Sequence, residues 1–205
     1  MHISEGVLSA PVLIGGAVVC VGGVALGLKK MRQDEIPKVG VLTAAFFVAS
    51  LVHVPLGPSS VHLILNGLIG LILGWAAFPA LLVALFFQAV FFQFGGLTVL
   101  GVNTVNMALP GVVFYYLTSR MVGSNSHSLN VIGGFIAGAG AVAGAGVLVA
   151  VSLYLSDQAF MGAAKAVLLA HIPIMIIEGI ITAVAIPFMK RARPELLRIV
   201  PKEGE

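Results

Sequence analysis

The residues of this chain best suited to chemistry are its histidines, and the first stands at position 2, after Met1 in "MHISEG". A histidine in that place can offer one metal ion three coplanar nitrogens. They are the terminal amine of Met1, the His2 amide nitrogen once it has lost its proton, and Nδ1 of the His2 ring. Five- and six-membered chelate rings close around the ion, and a fourth nitrogen completes a square. Square-planar nitrogen donors mark Cu(II) or Ni(II), and low-spin Co(II) is also chemically reasonable, whereas zinc prefers a tetrahedron. His53, His62 and His171 are further imidazoles in apolar surroundings, and Glu178 is a carboxylate in the last apolar run. Imidazoles without an acidic cluster suit a borderline transition metal better than magnesium or calcium, which take oxygen ligands. Taken singly, His53 or His127 reads more simply as an interfacial residue at a helix end.

The elements that must position these groups are membrane helices. The chain is 59% hydrophobic and 9% charged, against about 25% charged residues in an ordinary soluble domain. Residues 39–119 contain no Asp, Glu, Lys or Arg, enough for three or four spans at roughly 20 residues each. The apolar runs are long and two-sided, unlike the short alternating strands of a barrel. Breakers divide the sequence into seven expected spans, at about 8–28, 38–55, 60–75, 78–94, 102–121, 129–155 and 160–189, within one integral-membrane domain over 1–205. The fold class is an all-α polytopic bundle. The Gly-rich stretch "GGFIAGAGAVAGAGV" lacks the Lys-Ser/Thr ending of a phosphate loop, and Gly134, Gly138 and Gly144 are expected to allow close helix packing. Cys20 lies in the first span and, as the lone cysteine, has no intramolecular disulfide partner.

Seven spans place Lys29, Lys30, Arg32, Lys38, Arg120 and the basic tail from Lys190 to Lys202 on one side, leaving Lys165 on the other. The positive-inside rule then predicts an external N-terminus and a cytoplasmic C-terminus. The net charge of +3 fits a tail beside anionic lipid and asks for no nucleic-acid partner. The start lacks the basic leader of a cleavable signal peptide, so Met1 is expected as the mature terminus.

With that orientation, His2, His53, His62, Asn66, Gln88, Gln93, Asn103, Asn106 and His171 all fall in the outer half, and Glu178 falls near the middle. Polar groups at such depths mark sites by default. The asymmetry predicts a pocket open to the outside and closed below. His62 is the choice for the fourth donor, being at the depth of His2 and at a helix start after "LGPSS". Glu5 can meet the helix dipole of the first span and Gly6 can turn the terminus inward; an N-cap with a flexible start is the equal alternative.

Four segments carry a family resemblance: "MHISEG", "PSSVHLILNG", "GGLTVLGVNTVNMALPG" and "HIPIMIIEGIITA". Together they resemble the CbiM/NikM proteins, substrate-capture components of energy-coupling-factor transporters for cobalt or nickel, over nearly the whole chain. The resemblance implies metal binding by the Met1 amine, the amide and ring of His2, and the ring of His62. It implies that the neighbourhood of Asn103 packs over the site, and that His171 and Glu178 support the site or couple it to transport. Ni2+ or Co2+ would be transported substrate, with no organic cofactor. The implied partners are a transmembrane coupling subunit, ATPase subunits and a small accessory membrane protein. Many members read Ser-Ser-His-Pro-Thr-Gly around the ligand, where this chain reads "SSVHLILNG", and Asn66 is a candidate replacement contact beneath the site.

Two rival functions are weaker. A stand-alone ion-coupled transporter using Glu178 and His171 as a proton relay would be expected to show an inverted repeat or broken helix pair. An intramembrane metalloenzyme would need a His-Glu-x-x-His set or similar. The sequence shows neither pattern.

Overall fold

The fold is described from a computed structural model covering residues 2–51, 53–56 and 59–197. The elements run α1 (Ala10–Lys30), α2 (Ile36–Ala49), β1 (His53–Leu56), β2 (Ser59–His62), α3 (Asn66–Leu73), α4 (Ala77–Phe92), α5 (Leu100–Gly123), α6 (His127–Ser156) and α7 (Met161–Ala192). Pro11 opens α1 and Pro37 opens α2, where a missing N–H costs nothing because the first helical amides lack partners anyway. Among the described residues, five apolar stretches are long enough to cross a membrane: α1, the run Asn66–Phe92 that joins α3 to α4, α5, α6, and Gln158–Ala192. Their lipid-facing sides stay apolar, as with Val18, Leu117, Leu155, Leu169 and Phe188, all well exposed.

The third expected span is not one helix. Strands β1 (His53–Leu56) and β2 (Ser59–His62) pair antiparallel, with His53 opposite His62 and Leu56 opposite Ser59, and α3 that follows has only eight residues. Asn66 at the start of α3 donates to the carbonyls of Met107 and Ala141, at 3.0 and 3.2 Å. Both acceptors lie well inside long helices, so α3 starts deep in the bundle and completes its traverse only with α4. Gly67 and Gly70 permit this, since a side chain at either would collide with the backbone of α6 or α5. Gly134 and Gly144 play the packing role expected of them: a Cβ at Gly134 would lie 2.9 Å from the Thr182 carbonyl oxygen, and one at Gly144 3.0 Å from Pro110. The second expected span is also shorter than foreseen, at 14 residues, and Phe46 is its one buried residue.

The two ends of the bundle differ in chemistry. At one end Lys190 donates to the carbonyls of Val122 and Ser124 and to Asn130 Oδ1, closing α7 against the α5–α6 turn. Lys30 sits over the Trp75 ring at 5.5 Å, and Trp75 Nε1 donates to the Tyr116 hydroxyl. Lys29, Arg120 and Arg191 belong to the same end through the last turns of α1, α5 and α7. At the other end Ser9 N–H donates to Ser156 Oγ, joining the start of α1 to the end of α6. The N-terminal segment and the loop 93–99 lie there.

Candidate metal centre

Two arms meet at the end opposite the basic residues. The first is the segment before α1. Gly6 at φ +78° turns it, a left-handed conformation that suits glycine. Asn103 in the first turn of α5 holds it by pairing its side-chain amide with the backbone of Ile3: Oδ1 accepts from Ile3 N–H at 2.9 Å and Nδ2 donates to Ile3 O at 3.1 Å. Glu5 N–H donates to Gly95 O, and the Glu5 carboxylate accepts from Thr98 N–H at 3.0 Å. That hydrogen bond holds its carboxyl below the usual range. Glu5 therefore straps the segment to loop 93–99, while α1 has no acidic residue in its first turn. Gly95 and Gly96 take φ of +78° and +141°, and a Cβ on Gly96 would strike the Glu5 side chain.

The second arm is the hairpin and the turn into α3. His62 ends β2. Its Nδ1 donates to Leu63 O at 2.7 Å, which puts the proton on Nδ1 and leaves the Nε2 lone pair available. That Nε2 is buried and has no hydrogen-bond partner among the described residues. Burial keeps the ring pKa well below the usual imidazole range, so it is neutral. Glu178 anchors this arm from α7. One carboxylate oxygen accepts from the N–H groups of both Ile64 and Leu65, the second lacks a partner among the described residues, and the residue is 0% exposed.

The arms bring His2 and His62 together. Their rings lie 4.7 Å apart between centroids with planes 23° apart, and the two residues are 3% and 2% exposed. The Phe94 ring is tilted against His2, with centroids 6.1 Å apart. His171 on α7 is also buried, at 1% exposure. Its Nδ1 donates to Val167 O, which leaves its Nε2 unpartnered among the described residues.

The other candidates fall around this pair. Met1 lies outside the described residues, as does the side chain of His53, whose backbone stands opposite His62 in the hairpin. Asn66 binds α5 and α6 rather than the His62 ring. Among the described residues no three His, Cys, Asp or Glu side chains gather around one point, so the donors on hand are two imidazoles. Sequence reasoning did not single out Phe94 or the Glu5–Thr98 strap. The Gly-Gly step at 95–96 was the available signal, because two adjacent glycines beside an aromatic mark a place where backbone approaches another segment closely.

Fold and site define a multi-pass membrane protein that buries an imidazole pair at one end of a helical bundle. The sequence matches, over residues 2–196, the family described as "Cobalt uptake substrate-specific transmembrane region", and the chain belongs to that family. This makes it a transmembrane component of transition-metal transport, not an enzyme. A relative from Haemophilus influenzae is 44% identical over 199 residues, covering 96% of this chain and 97% of its own. The "Cobalt transport protein CbiM" of Sorangium cellulosum is 31% identical, with 96% and 94% covered. The "Fused nickel transport protein NikMN" of Rhodobacter capsulatus is also 31% identical, but this chain spans only 64% of its length. A crystal structure described as that of a transition metal transporter superposes with a TM-score of 0.82 at 28% identity, covering 93% of each chain.

Proposed function

We propose that this protein is the substrate-capture component of an ATP-driven energy-coupling-factor importer for Ni2+ or Co2+. The ion is held by the Met1 amine, the His2 amide nitrogen and ring Nδ1, and His62 Nε2. The observation that carries this reading is the packing of His2 against a His62 ring whose Nε2 is buried, deprotonated and unpartnered. Imidazole–metal bonds of about 2 Å on adjacent corners of a square set ring centroids roughly 4–4.5 Å apart, and opposite corners roughly 6 Å. In the chelate, the amine and ring of His2 occupy opposite corners, so the fourth donor is adjacent to the ring. The 4.7 Å separation fits that placement.

The remaining residues support the donors. Asn103 fixes Ile3 next to His2, Glu178 fixes the turn after His62, and His171 lies beside it. The basic end faces the cytoplasm under the positive-inside rule, which puts the captured ion outside and delivers it inward as the protein reorients in its complex. A transmembrane coupling subunit and ATPase subunits, with a small accessory membrane protein, complete the transporter. The fused relative NikMN and a fused relative named CbiMQ support partnership with further components. Equilibrium titration of the purified protein with Ni2+ and Co2+ tests the site. Tight binding that disappears in His62→Ala, in protein that keeps its helical circular dichroism, is the expected result. Unchanged affinity in His62→Ala would refute the ligand set.

A further inference from the structure

Far from the histidine pair, at the basic end, an apolar groove of about 710 Å³ runs along the outer seam of the packed helices α6 and α7. Val131, Phe135, Ile180 and Val184 line it, and Val184 and Ile180 are 68% and 53% exposed toward lipid. The groove runs into a polar hollow of about 200 Å³ bordered by Asn125, Asn130, Lys190 and Arg191. His127, Pro187 and Arg191 line both parts, so the two form one amphipathic site. Its charge is one-sided. Lys190 spends its donors on two carbonyls and an amide oxygen, which are neutral acceptors. Among the described residues no carboxylate lies within ion-pair distance of Lys190 or Arg191. Arg191 is exposed at the mouth of the hollow.

We infer that this groove binds an anionic phospholipid, with an acyl chain along the apolar α6–α7 seam and the phosphate at Arg191 and Asn125. A partner helix would fill the apolar part but leave the cationic mouth unmatched, whereas a lipid brings a chain and a negative phosphate in one molecule. Basic hollows between helices at the positively charged face of a membrane protein attract anionic headgroups. Arginine also offers paired donors that match phosphate geometry.

Native mass spectrometry of the full-length protein, equilibrated in detergent with equal amounts of chain-matched phosphatidylglycerol and phosphatidylcholine, tests this. Wild type retains phosphatidylglycerol in preference by roughly fivefold or more. Arg191→Ala brings the ratio toward parity, while Arg120→Ala, an exposed base at the same end, leaves it unchanged. Val184→Trp fills the cleft and lowers retention of both lipids without touching a charge. Ni2+ affinity, measured in parallel, stays at the wild-type value in all three variants, which separates this site from the metal centre. Equal retention of the two lipids by wild type would overturn the inference and assign the groove to a partner helix. So would an undiminished preference in Arg191→Ala, or full lipid retention in Val184→Trp.

Discussion

The two arms that carry His2 and His62 are held down by different chemistry. The N-terminal arm is held by a neutral, reciprocal pair, in which the Asn103 amide gives one hydrogen bond to Ile3 and takes one from it. The hairpin arm is held by a carboxylate, with one oxygen of Glu178 serving two backbone N–H groups and the other unpartnered among the described residues. A neutral amide pair is nearly self-sufficient in an apolar surround. A carboxyl group 0% exposed in the bundle is expensive to keep there, and its retention points to a backbone turn that must not move. The N-terminal arm has supplementary ties at Gly95 and Thr98, while the turn after His62 depends mainly on one side chain.

The comparison breaks most sharply at Glu178. Glu178→Ala strands the buried N–H of Ile64 and the part-buried N–H of Leu65, and is expected to lower stability by about 2–5 kcal/mol. It should also weaken metal binding by roughly 10- to 100-fold, as loss of a residue supporting a ligand does. Glu178→Gln keeps an acceptor oxygen and recovers most of both, which thermal unfolding and Ni2+ titration check together. Asn103→Ala should cost less, about 1–3 kcal/mol for two neutral hydrogen bonds, with roughly a tenfold loss of affinity. Asn103→Asp keeps the acceptor for Ile3 N–H but sets a carboxylate against Ile3 O, so it should not rescue. If Asn103→Ala proved more damaging than Glu178→Ala, the ranking of the arms would be reversed.

Phe94→Ala removes a ring beside His2 and should lower stability by about 0.5–1.5 kcal/mol, with a small rise in the metal off-rate by stopped flow. The smallest effect is expected at Glu5, which is exposed and tied to an exposed amide. Because Thr98 N–H holds the Glu5 carboxyl below its ordinary value, the strap contributes fully above that value and is lost as pH falls through the lowered one. Hydrogen exchange at the Thr98 amide should therefore stay slow through the pH range in which an ordinary glutamate protonates, and speed up only at more acidic pH. In Glu5→Gln it should be insensitive to pH beyond the intrinsic exchange rate.

Much of this layout was legible in the sequence because membrane helices are written in long apolar runs. The ends of α1, α5, α6 and α7 fall within a few residues of the expected spans. The third span was not legible as built. Residues 60–75 are apolar enough for a helix, and hydropathy carries no sign that 59–62 pairs as a strand with 53–56. His2 and His62 were legible because chelate chemistry and family motifs both single them out. Glu178 was legible as an anomaly of depth, but its partners Ile64 and Leu65, 114 and 113 residues away, exist only in the folded bundle. The same holds for Asn103 and Ile3, 100 residues apart. Glu5 shows the opposite case, where a local reading gave the helix dipole and a distant amide won.

The central claim is that the amino terminus itself is a ligand. Adding one glycine before Met1 displaces His2 from the second position while leaving every side chain in place. Equilibrium titration of that variant with Ni2+ and Co2+ should show loss of tight binding in a protein that is folded like wild type by circular dichroism. Wild-type affinity for either ion in the extended chain would contradict the account.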